Sequence, residues 1–96
     1  NEMFEICECL GIDYDKVVEY STYDERLGKS HWSVPGPDGH YGFGGSCFPK
    51  DINALIKFAE KWDIPTNVLT SAWETNLDVR PEEDWKELKG RAVVDE

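Results

Sequence analysis

The sequence predicts an all-α fold. Apolar residues recur at three- and four-residue spacing through residues 1–10, 52–62 and 69–77, the period of a helix with one buried face. Glycine or proline stands where each of these runs ends. No segment alternates apolar and polar residues as a half-buried strand would.

In the first run, Met3, Phe4, Ile6, Cys7 and Leu10 hold the apolar positions, with Glu2, Glu5 and Glu8 between them. Gly11 suits the end of that helix. Asp13 is a natural cap for a second, short helix over residues 14–22, with Val17, Val18 and Tyr20 facing inward. One further turn is expected over residues 23–28, closed by Gly28. Residues 29–46 lose all periodicity, and Pro35-Gly36-Pro37-Asp38-Gly39 is a turn cluster. A long loop in a small domain is usually functional or disordered. His31, Trp32, His40, Tyr41 and Phe43 in this one favour function.

The next helix starts at Pro49 and runs to about residue 62, with Ile52, Leu55, Ile56, Ala59 and Trp62 as its apolar stripe and Lys57, Glu60 and Lys61 outward. Ile64-Pro65 breaks it. Thr66 or Asn67 caps a fourth helix carrying Leu69, Ala72, Trp73 and Leu77, and Pro81 stops it. A short last helix is expected over residues 82–89, with Glu82, Glu83 and Asp84 at its N-terminus and Gly90 after it. Residues 91–96 read as a tail, or as the first strand of a further domain.

Composition narrows the function. Twenty acidic and 10 basic residues give a formal net charge of −10. That excludes the clustered positive charge needed to bind DNA or RNA phosphates and gives no attraction to anionic membranes. No apolar run approaches the ~20 residues of a membrane span. Three cysteines, an odd number, argue against a disulfide framework and for a reducing, cytoplasmic setting. The chain does not open on Met, and its first residues already read as mid-helix, as expected of a segment of a longer protein.

The stretch with chemistry is Gly42-Phe43-Gly44-Gly45-Ser46-Cys47-Phe48-Pro49-Lys50-Asp51. Its glycines let the backbone approach a ligand closely. Pro49 fits the first turn of a helix, which places Cys47 just before it, beside free N–H groups and the positive end of the helix dipole. Lys50 follows one turn on. A glycine cradle feeding a cysteine at a helix N-terminus suits an activated nucleophile. Cys7 and Cys9 differ: about 200° apart on a helix, they make no metal pair, and a packed Cys7 with a surface Cys9 is expected. His31 and His40 lack zinc-ligand spacing, so no metal site is expected. The tryptophans read as core and interface residues.

With Ile52-Asn53-Ala54-Leu55 after it, this stretch resembles the signature of the UDP-glucose/GDP-mannose dehydrogenase family. The likeness extends over nearly the whole chain. Asn1-Glu2 and Cys7-Glu8 resemble the end of the family's long central helix. Gly11-Ile12-Asp13 with Val17-Val18, Arg26-Leu27-Gly28 and Val34-Pro35-Gly36-Pro37 resemble successive steps toward the cysteine loop. The resemblance implies that residues 1–90 are the helical central domain, with a fold like the C-terminal domain of 6-phosphogluconate dehydrogenases, in a multidomain α/β dehydrogenase. That domain forms a homodimer and supplies the catalytic cysteine. The implied reaction is the NAD-dependent four-electron oxidation of a nucleotide sugar's primary alcohol, such as that of UDP-glucose, to a carboxylate, using two NAD.

Carried over, Cys47 is the nucleophile, passing through a thiohemiacetal to a thioester. Asp51 is the acidic partner of the hydrolytic water. Cys47, Phe48, Pro49 and Lys50 touch the cofactor. Gly42, Phe43 and Gly44 approach the sugar nucleotide, and Arg26 reaches the neighbouring subunit's substrate. The family's catalytic lysine, its asparagine and its dinucleotide-binding glycines lie upstream of Asn1, so the segment alone is expected to be inactive. The alternative is a dimerisation module without activity as isolated. Asp38-Gly39-His40-Tyr41 lengthens the loop relative to the family pattern, and Leu88 to Val94 resembles the lead into a third domain.

Overall fold

The computed structural model describes residues 1–87. They hold four α-helices: α1 (Glu2–Leu10), α2 (Tyr14–Ser21), α3 (Phe48–Glu60) and α4 (Asn67–Val79), followed by a 3-10 turn (Asp84–Glu87). There is no strand among the described residues. The chain divides into two compact units, Asn1–Tyr41 and the residues from Gly42 on.

In the first unit α1 packs against α2. Gly11 closes α1 in the left-handed conformation at φ 67°, and Ile12 N–H bonds back to Cys7 O at 2.8 Å. The Asp13 carboxylate caps α2 by accepting from Asp15 N–H at 3.0 Å. The buried face is narrower than the periodicity predicts. Cys7 is buried and Phe4 half-buried, whereas Met3, Ile6 and Leu10 are exposed. On α2 the buried residue is Tyr14; Val18 is half-buried, and Val17 and Tyr20 are exposed. Cys9 is exposed, as its position opposite Cys7 requires.

Tyr14 organises this unit. Its ring meets Phe4 edge-on at 5.5 Å, and its hydroxyl donates to Trp32 O in the long loop. Burial pushes the Tyr14 hydroxyl above its ordinary range, and the charges of Cys7 and Asp15 add to this. Tyr14→Phe removes that one donor and is expected to cost about 1 kcal/mol, read from the denaturation midpoint of the intact protein.

Residues 22–28 form successive turns rather than a further helical turn. Leu27 N–H bonds to Asp24 O at 3.0 Å, but Asp24 also turns its carboxylate onto Arg26 N–H, which competes with helix continuation. The proline-glycine cluster closes on itself through Gly36 N–H to His40 O and Gly39 N–H to Gly36 O, both 2.9 Å. Residues 36–40 are therefore tied together by main-chain hydrogen bonds of their own.

In the second unit α3 packs against α4. Cys47 is the N-cap of α3 and Pro49 sits in its first turn. The helix ends at Glu60, two residues short of the predicted end. Asp63 adopts φ 54°, and Ile64 N–H reaches Ala59 O at 3.1 Å, a Schellman closure with aspartate where glycine is usual. Trp62 falls in that closing turn and is 66% exposed, not part of a buried stripe. Ala59 is buried, Ile52 and Ile56 are half-buried and Leu55 is exposed. Thr66 caps α4 by position. Among the described residues after Pro81, only Asp84–Glu87 is helical, in 3-10 form. The rest of the predicted 82–89 helix, from residue 88 on, and the tail lie outside the described residues.

Candidate functional site

The cysteine loop and the first turn of α3 form the site. Cys47 is exposed at the helix N-terminus, with Ser46 Oγ 3.8 Å from its sulfur. Cys47 O accepts from Asp51 N–H at 2.8 Å, so one helical turn separates the thiol from the Asp51 carboxylate. That carboxylate pairs with Lys50 Nζ at 3.4 Å, and both side chains are largely solvated. Such a pair contributes little to stability, so both groups are free to re-partner with a ligand. Phe48 is exposed and Pro49 buried, so the turn presents a thiol, an aromatic ring, an ammonium and a carboxylate from one rigid base.

The glycine loop is held by α4 and the 3-10 turn. Phe43 N–H donates to Asn76 Oδ1 at 2.7 Å, and Asn76 Nδ2 donates back to Phe43 O at 2.9 Å. Gly45 N–H donates to Asp84 Oδ2 at 3.0 Å, while Arg80 Nη1 donates to Asp84 Oδ1 at 3.0 Å. Asn76 and Arg80 are almost fully buried. Phe43 meets Phe48 edge-on at 5.9 Å and Trp73 at 6.0 Å, and Trp73 continues to the buried Trp85 at 5.1 Å.

Glycine is required at two of these positions. Gly42 lies at φ 67°, and a Cβ there would overlap Asn76 Oδ1 and press on Val79 Cγ2. A Cβ on Gly44 would overlap the Arg80 guanidinium and the Asp84 carboxylate. Gly42 and Gly44 thus bring their backbone close to α4 and the 3-10 turn.

Burial works to raise the Asp84 carboxyl, but the Gly45 N–H and the Arg80 guanidinium outweigh it and hold the group below its ordinary range. A depressed carboxyl stabilises the fold above its unfolded value and loses that contribution as pH falls through its folded one. The tether on Gly45 is therefore expected to persist through the ordinary carboxylate range and to be lost only in stronger acid. The denaturation midpoint of the intact protein should fall more steeply with acid in the parent than in Asp84→Asn.

Arg26 belongs to the first unit. Its guanidinium is 89% exposed and grips Asp24 through Nε at 3.1 Å and Nη2 at 2.7 Å. These bonds hold the Asp24 carboxyl below its usual range. The arginine is thus presented on the surface, paired with Asp24.

Asn76, Arg80 and Asp84 are the site residues that hydropathy misses. Asn76 and Arg80 lie on the face assigned to Leu69, Trp73 and Leu77, and Asp84 reads as a helix-end charge. The available signal is their four-residue spacing across the end of α4.

Comparison with known proteins agrees with the motif. The sequence profile of the UDP-glucose/GDP-mannose dehydrogenase family, central domain, matches residues 1–78. The UDP-glucose 6-dehydrogenase TuaD of Bacillus subtilis is 37% identical over 76 residues, covering 79% of this chain and 15% of that protein. The UDP-glucose 6-dehydrogenase of Rhizobium meliloti is 36% identical over 94 residues, covering 98% of this chain and 19% of that one. The GDP-mannose 6-dehydrogenase of Azotobacter vinelandii is 36% identical over 77 residues, covering 79% and 17%. The chain thus spans less than a fifth of the length of these relatives, and no solved structure matches it significantly. Match and motif together establish that the chain belongs to the UDP-glucose/GDP-mannose dehydrogenase family, of which it carries the central domain.

Proposed function

We propose that this segment supplies the nucleophile of an NAD-dependent nucleotide-sugar 6-dehydrogenase, with residues 1–90 as its central domain. The observation that carries this is the exposed Cys47 at the N-terminus of α3, one turn from Asp51, behind a glycine loop anchored on both sides. The relatives named above act on UDP-glucose and GDP-mannose by their names, which supports a nucleotide-sugar substrate.

In this reading Cys47 Sγ adds to the carbon of the sugar aldehyde formed by the first oxidation. A second oxidation at that carbon leaves it bound to Cys47 as a thioester. Asp51 orients the water that cleaves the thioester, releasing the carboxylate and the free thiol. NAD, when bound, supplies the hydride acceptor for both oxidations. The exposed ring of Phe48 and the solvated ammonium of Lys50 fit a flat, anionic cofactor, and Pro49 gives that surface a fixed backbone. Gly42, Phe43 and Gly44 line the approach of the sugar nucleotide, and the surface fork of Arg26 serves the substrate of a second subunit.

Homodimerisation is supported by the exposed apolar residues Leu55 and Phe58 on one stripe of α3. A cytoplasmic setting is supported by three free cysteines. No helix among the described residues is long and apolar enough to cross a membrane.

The test is NADH formation by the intact protein with UDP-glucose, UDP-N-acetyl sugars and GDP-mannose in turn. NADH with one of them, accompanied by the sugar acid, is expected. Binding without NADH across the panel would overturn the reading. The dimerisation reading is tested separately by sedimentation of the isolated segment, where a monomer at high concentration would count against it.

A further inference from the structure

We propose that Asn76, Arg80 and Asp84 are positioning residues for Cys47, a role that rests on the reading of Cys47 as nucleophile. The three stand four residues apart, across the end of α4 and into the 3-10 turn. Asn76 and Arg80 are 2% and 1% exposed. Burying an amide and a guanidinium is costly unless their polar atoms are paired, and apolar residues of similar size would fill such space at lower cost. What the polar residues add is a fixed main-chain geometry. Asn76 bonds both N–H and C=O of Phe43, as a neighbouring strand would. Asp84, itself held by Arg80, takes the N–H of Gly45. Between these two pinned residues, Gly44 lies so close to the Arg80–Asp84 pair that no side chain fits.

The consequence falls on Cys47. Only Ser46 separates the tethered Gly45 from the nucleophile. On the other side Phe48 is braced by the ring of Phe43, whose backbone Asn76 holds. The thiol is thus bracketed by two residues that both trace back to the Asn76–Arg80–Asp84 ladder. Displacing a reacting group by about 1 Å costs about a hundredfold in rate, so a ladder that fixes the loop to a fraction of that distance acts on turnover without touching substrate.

The experiment uses the intact enzyme and its Asn76→Ala, Asn76→Asp, Asp84→Ala and Asp84→Asn variants. It measures kcat, KM for the sugar nucleotide, and the rate at which iodoacetamide alkylates Cys47, with Cys47→Ser as the blank for the other thiols. Asn76→Ala and Asp84→Ala are expected to lower kcat by about tenfold or more and change KM by less than about threefold, with a matching change in the alkylation rate. Asp84→Asn keeps an acceptor for Gly45 and should recover most of the loss. Parental kcat and alkylation in folded alanine variants would overturn the proposal, whatever happens to their stability. If an alanine variant fails to fold, Asn76→Asp decides, since it keeps the size but removes the donor to Phe43 O; parental values there overturn the proposal equally. Should the parent make no NADH while the variants still shift the alkylation rate, the dehydrogenase reading fails and the positioning role stands.

Discussion

With Cys47 as the proposed nucleophile, Cys47→Ser in the intact protein is expected to stop acid production, with a loss of at least about a thousandfold in turnover. The substitution keeps the shape of the N-cap, since serine is itself a preferred capping residue, so folding should be retained. What it removes is the soft, polarisable sulfur. Among the described residues the nearby carboxylate is that of Asp51, one turn away and paired with Lys50, and a serine hydroxyl is a far weaker nucleophile than a thiolate. A covalent adduct at the aldehyde level, or none at all, is therefore expected. Mass spectrometry of the variant with substrate and NAD distinguishes these from the thioester of the parent. Normal acid production by Cys47→Ser would remove the covalent mechanism altogether.

Gly44→Ala is expected to be severely damaging for a change of one methyl group. Its Cβ would enter space already held by the Arg80 guanidinium and the Asp84 carboxylate. Arg80 is 1% exposed and has no room to retreat. Overpacking of this kind costs about 1–3 kcal/mol, and here it also separates an ion pair and strains the tether on Gly45. A destabilisation of about 3 kcal/mol is expected, together with a fall in turnover, measured by denaturant unfolding and kcat on the same preparation. Gly45→Ala provides the contrast. That residue lies at φ 76° with open space where a Cβ would sit, so its cost is conformational alone, about 1–2 kcal/mol. Equal stability losses at the two positions would mean that crowding at Gly44 is relieved by movement of Asp84.

Much of this was legible in the sequence, for local reasons. Gly11, Asp13 and Pro49 act on the backbone within a few residues of themselves, and α1, α2 and α3 begin or end where they stand. The cysteine loop was legible as a continuous motif. The depth of burial was not. Periodicity identifies a face, but two short helices cover little area, so Met3, Ile6 and Leu10 remain exposed on an otherwise regular α1. The stop of α3 was legible only from Ile64-Pro65, because an aspartate, Asp63, takes the conformation that a glycine would have announced. The anchors of the loop were hidden for a different reason. Their effect depends on partners 33 and 39 residues away, and a polar residue in a core position carries no hydropathic signature.

Those separations bear on the order of events when the chain folds. Closing segments of 33 and 39 residues carries a length-dependent entropy cost of about 3 kcal/mol, which local helix formation does not meet. The cysteine loop is then expected to take shape late, once α4 and the 3-10 turn are in place to receive it. The amide protons of Phe43 and Gly45, both donated to side chains from those elements, become slow to exchange only at that stage. Their exchange rates would time the moment at which a folding chain first fixes the loop that carries Cys47.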